Sequence, residues 1–329
     1  MGAGFLFWVI AAKLYSVEDV GNATALISSL NLIILLAPLG FDISLIRFIF
    51  GSDRDEIFTT VLNITVLSTC AICLIYAVID SMLTSRLIPN LLYSFVFLSV
   101  AVFNSVTVIT GNMFLAMRRA RHYLMQNVVL CLRLLLLTAL LFLKSFGIFL
   151  SLGLCYGLAS LQAGIYLRTN GVRFCGLAVS KTFVKRSLQF SVGNYFSNNL
   201  NQAPGYIIPI LVLHLLDAEA AAKFYLAATL GNLTMTIPFA LSTSLLVEGS
   251  NQEPLKKNFK KALLATYISL IPCTIIVVLL GKDILGFFNP EYIEAYNLLV
   301  LVALSRLIEA LLVIYISVQN IRMKVKKVL

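Results

Sequence analysis

The sequence predicts an all-α polytopic membrane protein of about ten transmembrane helices. Three observations predict it. The 329 residues are 60% hydrophobic and 12% charged, with a mean hydropathy of +0.94, whereas soluble domains run about half apolar and a quarter charged. The apolar residues lie in blocks of about 20, the length that crosses a bilayer. The chain is also internally duplicated.

The segments follow in order. The first, Met1 to Ala12, is short for a full crossing. The others are Gly21–Phe41, Ile57–Ile79, Leu91–Thr110, Leu124–Leu143, Phe146–Leu167, Phe190–Leu213, Phe224–Val247, Ala262–Leu280 and Tyr296–Val318. Runs such as Leu132–Leu143 are apolar on every side, which excludes the alternating strands of a membrane β-barrel. No basic leader precedes the first segment, so it does not read as a secretory signal.

The net charge of +10 is a topology signal rather than a nucleic-acid footprint. One set of alternate loops and the tail hold 18 of the 25 basic residues, among them Arg47, Arg118, Arg168, Lys185, Lys256 and Arg322; the opposite loops hold 5, and Arg133 and Arg306 lie inside spans. Positive loops stay on the cytoplasmic side, so both termini are expected in the cytoplasm, in the cell membrane.

A shift of 201 residues aligns the chain with itself. Leu14–Glu18 falls on Leu215–Glu219, Pro38 within one residue of Pro238, Gly51-Ser52 near Gly249-Ser250, and Pro89 on Pro290. The repeat is six spans long, an even number, so the copies run parallel, as in one plan of secondary transporters. The expected organisation is an N-terminal lobe at 1–167, a basic cytoplasmic linker at 168–187 and a C-terminal lobe at 188–329. Because 329 minus 201 is 128, the second copy is expected to lack its last two helices.

Polar groups inside spans are costly and mark function. Arg133, in the centre of the fifth span, reads either as a cation for an anionic substrate or as half of a structural ion pair. Arg306 and Glu309, three apart, share a helix face and read as an internal ion pair. In the seventh span Asn194, Asn198, Asn201 and Gln202 recur at three and four, so they form one polar stripe, with Pro204 and Pro209 bending the helix. Pro38 and Pro238 are candidate kinks in the matched second and eighth spans. Arg47 and Glu248, at the ends of these spans, are candidate partners across a cytoplasmic gate. Gly153 and Gly157 read as close helix packing.

Nothing in the sequence points to enzyme chemistry, a cofactor or a metal. No phosphate-binding glycine loop is present, His122 and His214 stand apart, and Cys70 and Cys73 sit mid-span without histidine or acidic neighbours. The triplets at Asn22, Asn63 and Asn232 lie in or beside spans, which argues against glycosylation.

Lys13-Leu-Tyr-Ser-Val-Glu-Asp-Val-Gly21, with Pro38-Leu-Gly-Phe-Asp-Ile-Ser-Leu-Ile-Arg47, resembles the opening of the polysaccharide biosynthesis proteins. These are the O-antigen-type flippases of the multidrug/oligosaccharidyl-lipid/polysaccharide exporter superfamily. Phe190–Tyr195 and Ile237–Ser250 are similar to the start of their second lobe. The resemblance implies a V-shaped pair of six-helix lobes around a cavity, lined by helices one, two, seven and eight. It also implies alternating-access movement of a lipid-diphosphate-linked oligosaccharide, with membrane lipid and glycan-assembly proteins as further partners. A cation-coupled multidrug antiporter, for which Asp42 is the nearest acid, and a non-transporting scaffold protein are the open alternatives.

Overall fold

The computed structural model describes residues 2–49, 53–82, 87–236, 238–239, 241 and 255–321. Those residues are helical throughout, apart from turns and connectors, and no strand occurs among them. Among the described residues, each apolar segment of the sequence falls on a helical element. Seven helical stretches among the described residues are long and apolar enough to cross a membrane.

The chain divides into two compact units, Met1–Ala221 and Ala222–Leu329. This division falls one helix later than the lobe boundary read from the repeat. The first unit contains α1 (Gly2–Leu14), α2 (Val17–Leu36), α3 (Phe41–Phe48), α4 (Arg54–Met82), α5 (Leu91–Ala116), α6 (Ala120–Cys131), α7 (Arg133–Ala139), α8 (Lys144–Thr169) and α9 (Lys181–Leu215). The helix α10 (Ala218–Thr234) begins at its end. The second unit holds the rest of α10, α11 (Leu255–Phe288), a short 3-10 turn (Pro290–Ala295) and α12 (Tyr296–Ile321).

The duplication is visible in the helix caps. Ser16 Oγ accepts the Asp19 backbone N–H at 3.1 Å to start α2, and Asp217 Oδ1, 201 residues on, accepts that of Ala220 at 2.7 Å to start α10. Both satisfy an orphan donor of the first turn. Asn90 and Asn289, close to the same offset, cap the helix that follows Pro89 and the 3-10 turn that begins at Pro290.

In a bilayer, lipid is as apolar as leucine, so helices associate through packing and interhelical hydrogen bonds. Gly153 lets α8 approach α5: a Cβ there would lie 2.3 Å from Val100 Cγ2. Thr69 and Ser105 hydroxyls pair at 2.6 Å between α4 and α5, and Tyr76 donates to Ser29 Oγ at 2.9 Å between α4 and α2. Gln126 of α6 donates to the Thr107 carbonyl and to Thr110 Oγ1 of α5, at 3.0 and 2.9 Å. The Tyr15 hydroxyl, in the α1–α2 corner, donates to the Leu137 carbonyl at 2.7 Å. Burial and the charge of Asp19 push that phenol up to about 12.

The second unit is held in the same way. Gly231 of α10 meets Val302 of α12, and Tyr267 of α11 donates to the Leu307 carbonyl at 2.7 Å. Lys223 pairs with Glu294, tying α10 to the 3-10 turn. Arg306 pairs with Glu309, as their spacing suggests.

The basic segment after α8 departs from a free linker. Lys181, Lys185 and Arg186 already belong to α9, and the stretch before it is strapped onto α4. Asn63 Nδ2 donates to the Gly176 and Ala178 carbonyls at 2.9 and 3.0 Å. Thr59 and Thr60 hydroxyl oxygens accept the Cys175 and Ser180 N–H groups at 3.0 and 2.9 Å. Side chains of the first turns of α4 thus satisfy a backbone that has no ladder of its own.

Candidate functional site: an amide-lined cavity

Proline 38 does more than kink the second span; it breaks it. Pro38 has no N–H to give the Ile34 carbonyl, and the Leu39 N–H turns to the Leu36 carbonyl at 3.3 Å instead of Leu35. Leu39 and Gly40 then take left-handed conformations, with φ of 52° and 79°, before α3 starts at Phe41. Gly40 is needed twice. Its φ favours glycine, and a Cβ would lie 2.1 Å from the Ser191 carbonyl oxygen of α9. Beside this contact the Ser44 and Ser191 hydroxyls pair at 2.7 Å. In the matched helix, α10 ends at Thr234, four residues before Pro238, which is buried.

The break opens a cavity of about 270 Å³ between the α2–α3 corner, α5, α8 and α9, all within the first unit. Its wall carries Asn31, Asn104, Asn194, Asn198, Asn199 and Gln202, with Tyr156, Tyr195 and Tyr206 and the carboxyl of Asp42. Non-helical backbone at membrane depth is tolerated where it lines such a cavity. Asn194 and Asn199 anchor their amide NH₂ groups to carbonyls one turn back, Phe190 at 2.8 Å and Tyr195 at 2.7 Å. Their amide oxygens are thereby left for other donors. Gln202 donates to Asn198 Oδ1. Asn199 Oδ1 is buried with no donor among the described residues. An unpaired buried acceptor costs free energy unless something supplies a hydrogen bond.

Of the stripe read from the sequence, Asn194, Asn198 and Gln202 line this cavity; Asn201 does not and is exposed. The helical face turns towards Tyr195, Asn199 and Tyr206 instead. Asn31 and Asn104 were missed by the sequence reading. The signal that could have found them is a lone amide in an otherwise apolar span.

Arg133 is not in the lining. It sits half-buried at the start of α7, its guanidinium 5.4 Å from the Phe7 ring centre and close to Gly4 of α1. No ion pair holds it among the described residues, and its Nε has no acceptor. Arg47 is exposed on α3 and stacks 4.3 Å from the Phe190 ring centre of α9. Glu248 lies outside the described residues.

Helices of membrane-spanning length, a broken helix and a polar cavity inside the first unit define a multi-pass helical membrane protein. The fold is similar to that of an inward-facing multidrug resistance MATE family transporter of the MOP superfamily. That match has a TM-score of 0.56 over 97% of this chain and 83% of the other, at 13% identity. The family model described as "Polysaccharide biosynthesis protein" matches residues 1–247, so the chain belongs to the polysaccharide biosynthesis protein family. No curated protein sequence matches it.

Proposed function

We propose that the chain is a flippase that moves a lipid-diphosphate-linked oligosaccharide across the cytoplasmic membrane by alternating access, for polysaccharide biosynthesis. One observation carries this reading: the cavity wall of six amides and three tyrosines, with Asn199 Oδ1 buried and undonated. An amide offers donors and acceptors together, which suits sugar hydroxyls, and tyrosine faces suit the apolar faces of sugar rings. The volume of about 270 Å³ is near the roughly 300 Å³ lower bound of small-ligand pockets, so it would hold the sugars nearest the diphosphate rather than a whole glycan. Membership of a polysaccharide biosynthesis family supports the same substrate class.

Arg133 is the cation for the diphosphate; a guanidinium gives paired, charge-assisted hydrogen bonds to phosphate. The lipid tail stays in the bilayer. Arg47, exposed on α3 against Phe190, is a gate candidate at the basic end of the first unit. That end is cytoplasmic by the positive-inside bias, with both termini there, and glycan-assembly proteins are partners on that side. The protein acts as a carrier and performs no catalysis.

The test is purified protein in vesicles containing a fluorescent lipid-diphosphate-linked oligosaccharide. Label should reach the opposite leaflet faster than in protein-free vesicles. Folded protein that leaves the rate at the protein-free level overturns the proposal. A second reading, a cation-coupled drug antiporter, is favoured by the Asp42 carboxyl in the cavity. It predicts gradient-driven efflux of a cationic dye that Asp42→Asn abolishes; no efflux from folded protein dismisses it.

A further inference from the structure

A second cavity opens at the basic end of the first unit, away from the amides. It is a groove of about 740 Å³ between the first turns of α4, the last turns of α5 and α8, and the strap that follows α8. Its floor is apolar, with Phe58, Leu62 and Val106, and its rim carries Arg168, Arg173 and Phe174. No carboxylate lines it, and among the described residues neither arginine forms an ion pair.

The rim is held in place. Val172 is buried in the core cluster with Phe58 and Leu167, and its N–H bonds the Leu167 carbonyl at 3.0 Å. Asn63, Thr59 and Thr60 pin the next residues to α4. Arg168 and Arg173 are therefore presented to one groove from fixed backbone. Beyond the rim, Phe174, Leu177 and Val179 are 54%, 85% and 43% exposed, the arrangement of a segment lying in the headgroup–acyl boundary.

We propose that this groove binds an anionic phospholipid of the adjacent leaflet. The phosphate sits between Arg168 and Arg173, and an acyl chain lies along Phe58, Leu62 and Val106. Charge and shape together choose the occupant. Two unpaired guanidinium groups call for an anion, basic pockets between spans at this level suit lipid headgroups, and the apolar floor calls for a hydrocarbon chain that free phosphate lacks. The site lies apart from the amide cavity, so the proposal does not depend on what that cavity carries.

The test uses the full-length chain in detergent, titrated separately with phosphatidylglycerol, phosphatidylcholine and inorganic phosphate, with bound lipid counted by native mass spectrometry. Phosphatidylglycerol should bind at least tenfold more tightly than phosphatidylcholine. Arg168→Gln with Arg173→Gln should remove that preference, while Arg121→Gln keeps it. A preference that survives the double variant overturns the proposal, as does inorganic phosphate competing equally well. Independently of any variant, a photoactivatable phosphatidylglycerol should crosslink the wild-type chain within 58–62 or at Phe174. Labelling that is absent there and present elsewhere also overturns it.

Discussion

Replacing Gly40 by alanine should loosen the α2–α3 corner from α9 and deform the amide cavity between them. A Cβ at position 40 would lie 2.1 Å from the Ser191 carbonyl oxygen and 2.8 Å from its carbon. Both are backbone atoms of a helix, so no rotamer change relieves the overlap. Holding a non-glycine residue in the left-handed region costs about 1–2 kcal/mol. Overpacking of this kind costs about 1–3 kcal/mol. Separation also strains the Ser44–Ser191 bond, a contact of the kind worth about 0.5–1.5 kcal/mol. The expected loss is about 2.5–6.5 kcal/mol, read as a lowered unfolding temperature of the solubilised protein by circular dichroism. Flipping of the labelled lipid-linked sugar should fall with it. Gly193→Ala on the same helix is the control: nothing lies within 4 Å of the added Cβ, so it should gain roughly 0.5–1 kcal/mol. If Gly40→Ala melts and flips like wild type, α9 does not rest on the Gly40 turn and the cavity argument fails.

Further outcomes follow from the same geometry. Asn198→Leu should slow flipping about tenfold, one or two hydrogen bonds' worth, while Asn201→Leu, outside the cavity, should not; equal effects would refute the assignment of faces. Arg133→Ala should cut flipping while protein levels in the membrane stay constant, and normal rates at equal levels would remove Arg133 from the mechanism. Asn63→Ala should free the strap and speed tryptic cleavage after Arg173; unchanged cleavage would mean that Asn63 does not hold it.

Much of the fold was legible because the bilayer imposes simple rules. Ten apolar blocks map onto the helices, and the 201-residue offset reappears in the caps at Ser16 and Asp217. Polar spacing in α9 singles out Asn194, Asn198 and Gln202, which line the cavity, because helix periodicity is a local property. Asn201 lies off the lining because which residues border a cavity depends on the neighbouring helices. Pro38 was read as a kink, yet the structure shows a break, since Leu39 and Gly40 both turn left-handed beside it. The stretch read as a connector is a strap because Thr59, Thr60 and Asn63 lie over 110 residues earlier in the chain.

The sequence by itself determined the class, the spans and the duplication, because bilayer thickness and the cost of exposing backbone to lipid act on every short segment separately. Only the tertiary structure decided where the polar groups meet. Asn31, Asn104 and Asn199 come from three helices, and Arg133 lies beside Phe7 and Gly4 of α1 rather than in the cavity lining. The meeting of these amides depends on helix–helix contacts such as Gly40 against Ser191, which no periodicity along one helix encodes.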